Sequence, residues 1–538
     1  PVPGQRPRPE TGDAGRGTPS PTRLILLSAL PSSLLLSVTL HISSDVAAVP
    51  LLWVIPLALY VGSFVMAFAS RPPLPLWLVR VALPFVLLAV VVSLALRLSQ
   101  PVLPLMVVHL AGLFALALLC HGEIAAMRPP VEGLTAYYFW ISLGGVLGGA
   151  FSALVAPLLF PSVVEYPLAL LLASLMVYRV PRPSAMGGGR RERILDVVLP
   201  LALAGLATGL LLRGRGAALT GNAVALALVF GPLVLACLTF RHRPLRFTLG
   251  AGAIWLTSTL FYVDHGQVIL TARSFFGVHR VRAVPVEQGQ TYHILVHGNT
   301  VHGMQAREGE ARMEPLTYYH RGGPAGQLFS ALRLAEPAKP VAVVGLGTAG
   351  MACYGAPGQR WDFYEIDPLV EGVARDPRYF TFLRDCPPQS VVTLGDGRLA
   401  LHRAPPAAYA TIVLDAYNSD AIPLHLITRE ALKLYLDKLL PDGVLVFHIS
   451  NRHLDLAPVL GGLASDADLI CLVREDASVT PAEAAQGKTP SRWAVMARRA
   501  VDLDPLLGDP RWRRASDVPG VSLWTDDYAS LLPIFRWG

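Results

Sequence analysis

At 538 residues the chain is too long for a single hydrophobic core. With 53% hydrophobic and 15% charged residues it is far more apolar than an ordinary soluble protein, which carries about 25% charged residues. Much of the net charge of +7 sits in short loops, at Arg179, Arg182, Arg190, Arg191 and Arg193 and again at Arg241, Arg243 and Arg246, which argues against a nucleic-acid partner and for basic loops beside membrane spans.

Residues 1–22 are rich in Pro, Gly and Arg and predict a disordered segment. They lack the plan of a signal peptide, and a start at Pro1 without Met suits an N-terminally truncated fragment. Residues 23–264 then carry nine apolar runs: 24–42, 46–69, 76–96, 102–120, 134–160, 163–178, 194–212, 217–239 and 247–263. A span needs roughly 20 apolar residues, so this region predicts a polytopic membrane domain of about eight or nine helices, with the bilayer as its partner. Small residues at four-residue spacing in Gly144-Gly145-Val146-Leu147-Gly148-Gly149 predict close helix–helix packing. His41, Asp45, His109, His121, Glu123 and Glu165 are costly in lipid. Internal hydrogen bonding or interfacial placement is the plainer account of them, and a polar cavity for a cationic or amphiphilic substrate the functional one. If all nine runs cross, the Arg-rich loops fall on the side opposite the C-terminal half, against the cytoplasmic bias of such loops. One run, 24–42 or 247–263, is therefore expected to lie in the interface or re-enter.

Alternating stretches at 278–286, 291–296 and 300–305, punctuated by Gly289 and Gly298-Asn299, predict a small β-meander within a linker region, 265–325. From 326 to 538 strands and helices alternate. Strands are expected at 340–344, 361–366, 390–394, 411–414, 443–449 and 469–473, with a helix at 428–440 that Pro441-Asp442-Gly443 stops. Such alternation implies an α/β Rossmann-like domain with a mainly parallel sheet and a ligand crevice at the strands' C-terminal ends. Cys120, Cys237, Cys353, Cys386 and Cys471 are scattered, with no CxxC or Cys/His cluster, so neither a disulfide framework nor a metal site is expected.

The first strand of this domain runs into Gly345-Leu346-Gly347-Thr348-Ala349-Gly350. Glycines at Gly345, Gly347 and Gly350 allow a tight turn and close approach to a ligand, with amides from a following helix. Glu365 ends the next strand, where a carboxylate can accept from both ribose hydroxyls, and Asp367 follows as a ligand residue or a helix cap. NAD and S-adenosyl cofactors share this geometry. Asp396 and Gly397, after the third strand, favour an S-adenosyl compound, since a carboxylate there can accept from the adenine amino group. The fourth strand delivers Asp415 in Asp415-Ala416-Tyr417-Asn418-Ser419-Asp420 at the crevice mouth. Tyr292, His293, His425, His448 and Asn451 are further candidates for the crevice. Of these, His425 lies in a loop and is the better site candidate, whereas His448, on a buried strand, is more readily a hydrogen-bonded core residue.

Taken together, Val343-Val344-Gly345-Leu346-Gly347-Thr348-Ala349-Gly350, Tyr364-Glu365-Ile366-Asp367, Gly395-Asp396-Gly397-Arg398, Asp415-Ala416-Tyr417-Asn418-Ser419-Asp420-Ala421-Ile422-Pro423, His448-Ile449-Ser450-Asn451-Arg452 and Trp524-Thr525-Asp526-Asp527-Tyr528 resemble the spermidine synthase family, and more closely its membrane-fused bacterial relatives. The resemblance implies a class I methyltransferase-type fold that takes decarboxylated S-adenosylmethionine, or S-adenosylmethionine, as co-substrate without a metal. Glu365 would hold the ribose and Asp396 the adenine. Asp415, with Asp420 and Tyr417, would form the catalytic set, Asp415 deprotonating the attacking amine. Tyr292, Tyr318, Tyr319 and His425 would contact the small-molecule amine substrate. The chain departs from the family at Thr348-Ala349, where an acid is usual, and in the wide spacing from Asp415 to Asp420. A membrane-anchored aminopropyltransferase is the leading expectation, in a bacterial inner membrane with the soluble domain in the cytoplasm and a homodimer allowed. A methyltransferase acting on a lipid or amphiphilic amine, or a nucleoside-binding transporter or sensor, stand as alternatives.

Overall fold

The computed structural model describes residues 20–46, 51–71, 73–177, 190–214, 223–261, 266–286, 290–417 and 422–536. The chain divides into two compact units, one drawn from residues up to Val263 and the other from Asp264 onward.

The first unit is helical. Its main helices are Pro21–His41, Val54–Phe68, Leu76–Ala95, Val102–Ala126, Leu134–Ala150, Glu165–Val177, Arg190–Gly214, Ala223–Thr239 and Pro244–Phe261. The first begins at Pro21, inside the 1–22 stretch expected to lack structure, because proline is well placed in a helix's first turn. Among the described residues, five helices are long and apolar enough to cross a membrane: Pro21–Val46, Leu76–Ala95, Val102–Ala126, Val131–Leu159 and Arg190–Arg213. The runs 46–69, 163–178 and 217–239 correspond to shorter apolar helices.

Glycine spacing sets the tightest contact. A Cβ at Gly144 would lie 2.5 Å from the Ile25 carbonyl oxygen, and one at Gly148 only 2.0 Å from that of Ala29. Helices Pro21–His41 and Leu134–Ala150 thus meet backbone to backbone, as small residues at this spacing allow. Polar side chains of the interior find partners there. Ser33 hydrogen-bonds Ser152 at 2.7 Å, Ser63 bonds His121 at 2.9 Å, and Glu123 accepts from Arg23 at 2.8 Å and Arg80 at 3.3 Å. His41, the last residue of helix Pro21–His41, faces Asp45 of the π-helical turn Ile42–Val46 at 3.2 Å. Outward-facing positions instead carry exposed Leu103, Val107, Leu158, Leu201 and Leu228.

The second unit holds two sheets. Strands β1 (Gln267–Ser274), β2 (Gly277–Pro285), β3 (Thr291–His297) and β4 (Thr300–Ala306) form an antiparallel sheet in chain order, one strand more than the alternating pattern predicts. The larger sheet contains β5 (Val341–Val344), β6 (Arg360–Glu365), β7 (Gln389–Leu394), β8 (Tyr409–Leu414), β9 (Leu439–His448), β10 (Ile470–Asp476), β11 (Ser491–Ala497) and β12 (Arg513–Arg514), in the order β12-β10-β11-β9-β8-β5-β6-β7. From β7 to β9 it is parallel, and beyond β9 antiparallel. Every residue of β8 is buried, which is how a central parallel strand covered on both faces must read. Trp361, Phe363 and Trp493 pack one face, and Ile412, Leu445, Tyr435 and Trp524 the other. β11 escapes sequence reading because a short apolar run without alternation cannot be told from a buried helical turn.

Candidate active site

The chain reverses sharply after β5. Gly345 has φ +105° and Gly347 φ +53°, and a Cβ on either would strike the Asp415 or His302 carbonyl oxygen at 2.3 and 2.6 Å. The turn therefore lies flat against the end of β8 and against β4. Gly350 opens a five-residue 3-10 helix, Gly350–Tyr354, and packs beside Phe382 and Thr348. The expected amide-rich helix N-terminus is absent there. The Leu346 amide instead donates to Glu365 at 3.0 Å, so the loop is tied to the neighbouring strand end.

Carboxylates gather around the resulting cavity of about 280 Å³, whose wall includes Gly345, Gly347, Glu365, Asp367, Asp396 and Asp415. Glu365 is buried, accepting from the Leu346 and Asp367 amides, and burial pushes its carboxyl above the ordinary range against those bonds. Each Glu365 oxygen keeps acceptor capacity for a ligand hydroxyl. Asp367 caps helix Pro368–Arg375 through Leu369 and accepts from Ser274 and His279 at 2.5 and 3.0 Å. Burial raises its carboxyl, but these bonds outweigh it and hold the group below the usual range. Asp396 caps the helix Gly397–His402 at Leu399 and pairs with His425 Nε2 at 3.1 Å, leaving it only half-committed to the fold. The antiparallel sheet contributes Leu295, His297 and His302 to the same wall.

A second cavity, of about 500 Å³, opens on the other side of Asp415. His302, Gly347, Asp415 and Tyr417 line both. Asp415 is almost wholly buried. One oxygen accepts from the Tyr319 hydroxyl, and the other meets His448 Nδ1 at 2.7 Å. His448 Nε2 in turn bonds the Ser450 hydroxyl at 2.7 Å, and Ser450 lies on the second cavity's wall. The imidazole is stacked between Tyr318 and Trp493, with ring centroids 4.4 and 4.6 Å away. His302 Nε2 is buried without a hydrogen-bond partner at the boundary of the two cavities, and burial followed by neighbouring histidines lowers its pKa to about 3.

No protein-family model matches the chain. A polyamine aminopropyltransferase of Vibrio vulnificus (strain CMCP6) is 37% identical over 133 residues, which are 24% of this chain and 42% of that relative. The chain is spermidine synthase-like. It spans less than half the length of this curated relative. Among solved structures, a probable spermidine synthase from Corynebacterium glutamicum ATCC 13032 matches at 14% identity over 50% of this chain and 99% of that one, with a TM-score of 0.35. The spermidine synthase of Thermotoga maritima matches at 16% identity over 46% and 79%, with a TM-score of 0.32.

Of the expected site residues, Gly345, Gly347, Glu365, Asp367, Asp396, Gly397, Asp415, Tyr417 and His425 stand around the first cavity. Tyr318 and Tyr319 line the second. Tyr292 does not reach either. It packs with Ala306 and Leu316 in a separate cluster, because its place in β3 turns the ring into the sheet's own core. His293 is likewise spent on the Tyr379 carbonyl, at 2.9 Å. Gly350 supports the turn without lining the cavity. Asp420, with residues 418–421, lies outside the described residues. Tyr417 lines both cavities while its hydroxyl donates to the His448 carbonyl at 2.6 Å. Asp526 forms a two-pronged ion pair with Arg398, at 2.7 Å on each side, and also accepts from Thr428.

Two features were not expected. Ser450 entered only as a member of the matching segment His448–Arg452, and its bond to His448, across one intervening residue at the end of a strand, was not foreseen. Cys353 and Cys386 form a disulfide, with Cα atoms 4.8 Å apart, against the expectation that no cysteines pair. They are 33 residues apart, and the short helices Gly350–Tyr354 and Phe382–Asp385 bring them together. Among the described residues no group of three or more His, Cys, Asp or Glu could hold a metal ion.

Proposed function

We propose that the chain is a membrane-anchored transferase that moves an aminopropyl group from decarboxylated S-adenosylmethionine to an amine acceptor. One observation carries the reading: Asp415 forms part of the wall between two cavities, so it can meet a donor from one side and an acceptor from the other. The first cavity suits the nucleoside. Gly345 and Gly347 leave room that a Cβ would fill, Glu365 can accept from the ribose, and Asp396 can accept from the adenine amino group.

Transfer joins the acceptor nitrogen to the aminopropyl carbon as the carbon–sulfur bond breaks. The bonding pair passes to sulfur, which loses its positive charge and leaves as a neutral thioether. The nitrogen must shed a proton, and Asp415 takes it. Tyr319 and His448 fix that carboxylate, so no reorganisation is needed when the amine is in line. The catalytic set is Asp415 with Tyr319 and His448 as positioning residues; Tyr417 braces His448 through its backbone.

Anchoring rests on the helical unit, which pairs its polar side chains inside and turns leucine and valine outward, the reverse of a water-soluble bundle. A nucleoside donor requires the C-terminal unit on the cytoplasmic face of the inner membrane. Membrane flotation and protease protection test the anchoring and the side.

The reaction is tested by incubating the full chain with decarboxylated S-adenosylmethionine and an amine, then identifying products by mass. Release of methylthioadenosine with aminopropylated amine is expected. Turnover of S-adenosylmethionine with methyl transfer would instead overturn the donor assignment.

A further inference from the structure

The helical unit gathers cations where two of its helices begin. Helix Arg190–Gly214 opens with Arg190, Arg191 and Arg193, all exposed, and the turn between Ala223–Thr239 and Pro244–Phe261 adds exposed Arg241 and His242. The two segments lie side by side. Arg243 bonds Glu192 at 2.8 Å, and Arg246 bonds Glu192 at 3.1 Å and Asp196 at 3.0 Å. Glu192 and Asp196 are the only carboxylates in residues 190–200 and 240–246, and both are committed to these two partly buried arginines. Residues 178–189, which join Val177 to Arg190 in the chain, hold two further arginines and no acid. Arg241 donates one N–H to the Leu238 carbonyl at 3.4 Å. Next to the arginines the surface turns apolar at once, with Ile194, Val197, Val198, Leu201 and Leu245 exposed. The stretch Arg190–Arg213 is long and apolar enough to cross a membrane.

We propose that this end of the helical unit binds anionic phospholipid, with Arg190, Arg191 and Arg193 on the headgroup phosphate and the exposed aliphatic side chains beside the acyl chains. The inference rests on the membrane-anchoring reading and adds the kind of lipid to it. A helix that crosses a bilayer carries its terminal residues at the depth of the headgroups, where each guanidinium can offer two parallel N–H donors to a phosphate. Charge balance selects the class of lipid. A zwitterionic headgroup brings its own cation beside the phosphate, whereas arginines in surplus over carboxylates are neutralised by a headgroup of net negative charge. The pairs made by Glu192 and Asp196 have a separate part. They hold the turn at 240–243 against the helix start, so Arg241 stands beside the same headgroup layer.

The test offers the full chain in detergent phosphatidylglycerol or phosphatidylcholine with the same acyl chains, and native mass spectrometry counts the lipid retained. Phosphatidylglycerol is expected to bind about ten-fold tighter, the sum of a few exposed ion pairs, and the preference should shrink as salt is raised. In the triple variant Arg190→Gln, Arg191→Gln, Arg193→Gln the two lipids are expected to bind equally. The matching triple variant to Lys keeps the preference, which assigns the loss to charge. Arg213→Gln, exposed at the other end of the same helix, also keeps it. Equal binding of both lipids by the unaltered protein, or a preference that survives the glutamine variant, overturns the inference. Displacement of phosphatidylglycerol by an equal concentration of glycerol 3-phosphate assigns the arginines to a soluble anion and overturns it too. Flotation with vesicles of each lipid separates the two readings. A chain that floats with both but shows no headgroup preference loses this inference alone. One that floats with neither loses the anchoring reading and this inference with it.

Discussion

His109, midway along Val102–Ala126, and His448, at the end of β9, are both buried and both use two ring nitrogens. His109 bonds the Tyr166 hydroxyl at 2.7 Å and Ser93 at 3.2 Å, so its bonds end on neutral hydroxyls inside the helical unit. His448 bonds Asp415 and Ser450, each at 2.7 Å, and that chain ends at two cavities. Burial and hydrogen-bond satisfaction are alike in the two. What separates a packing histidine from one fit for chemistry is a carboxylate partner and an opening at the end of the chain of bonds.

The largest effect should come from breaking the second arrangement. Asp415→Asn keeps the shape but cannot take a proton, so turnover falls by about 10²–10⁴-fold while calorimetry finds donor affinity unchanged. Wild-type turnover in that variant removes Asp415 as the base. The helical unit is expected to answer to bulk instead. Gly148→Leu places atoms 2.0 Å from the Ala29 carbonyl oxygen and should destabilise the unit by about 1–3 kcal/mol or more. A Cβ at Gly145 meets nothing within 4 Å, so Gly145→Ala should leave the detergent melting temperature unchanged.

A third test concerns the donor end. Burial holds the Glu365 carboxyl above the ordinary range, so its ionised form disappears at a higher pH than that of an exposed glutamate. Donor affinity should therefore weaken as pH falls through that raised value. In Glu365→Gln the affinity should be lower by about ten-fold, the worth of one hydrogen bond to a charged group, and flat across the same pH range. A pH dependence that survives the substitution assigns it to another group. The smallest effect is expected at His109→Phe, which leaves Ser93 and Tyr166 without this partner. A loss of about 0.6–2 kcal/mol in stability, with turnover per folded molecule unchanged, would keep His109 on the packing side of the comparison.

Much of the architecture was legible because it follows from periodicity and composition. Nine apolar runs became helices, and glycines four apart at Gly144 and Gly148 became a close crossing, since the absence of a side chain acts locally. Strand ends carrying Glu365, Asp396 and Asp415 were likewise readable, because a parallel sheet sends successive strand tips to one edge. Tertiary structure alone decided the rest. Tyr292 and His448 both sit on strands, and only the packing of the sheets turned one into an apolar cluster and the other onto Asp415. The Cys353–Cys386 pair, the His279 contact to Asp367 and the shared wall of the two cavities each join segments distant in the chain. Residue type and spacing fix what a segment can bury or bond, but a partner far along the chain is chosen by how the elements stack.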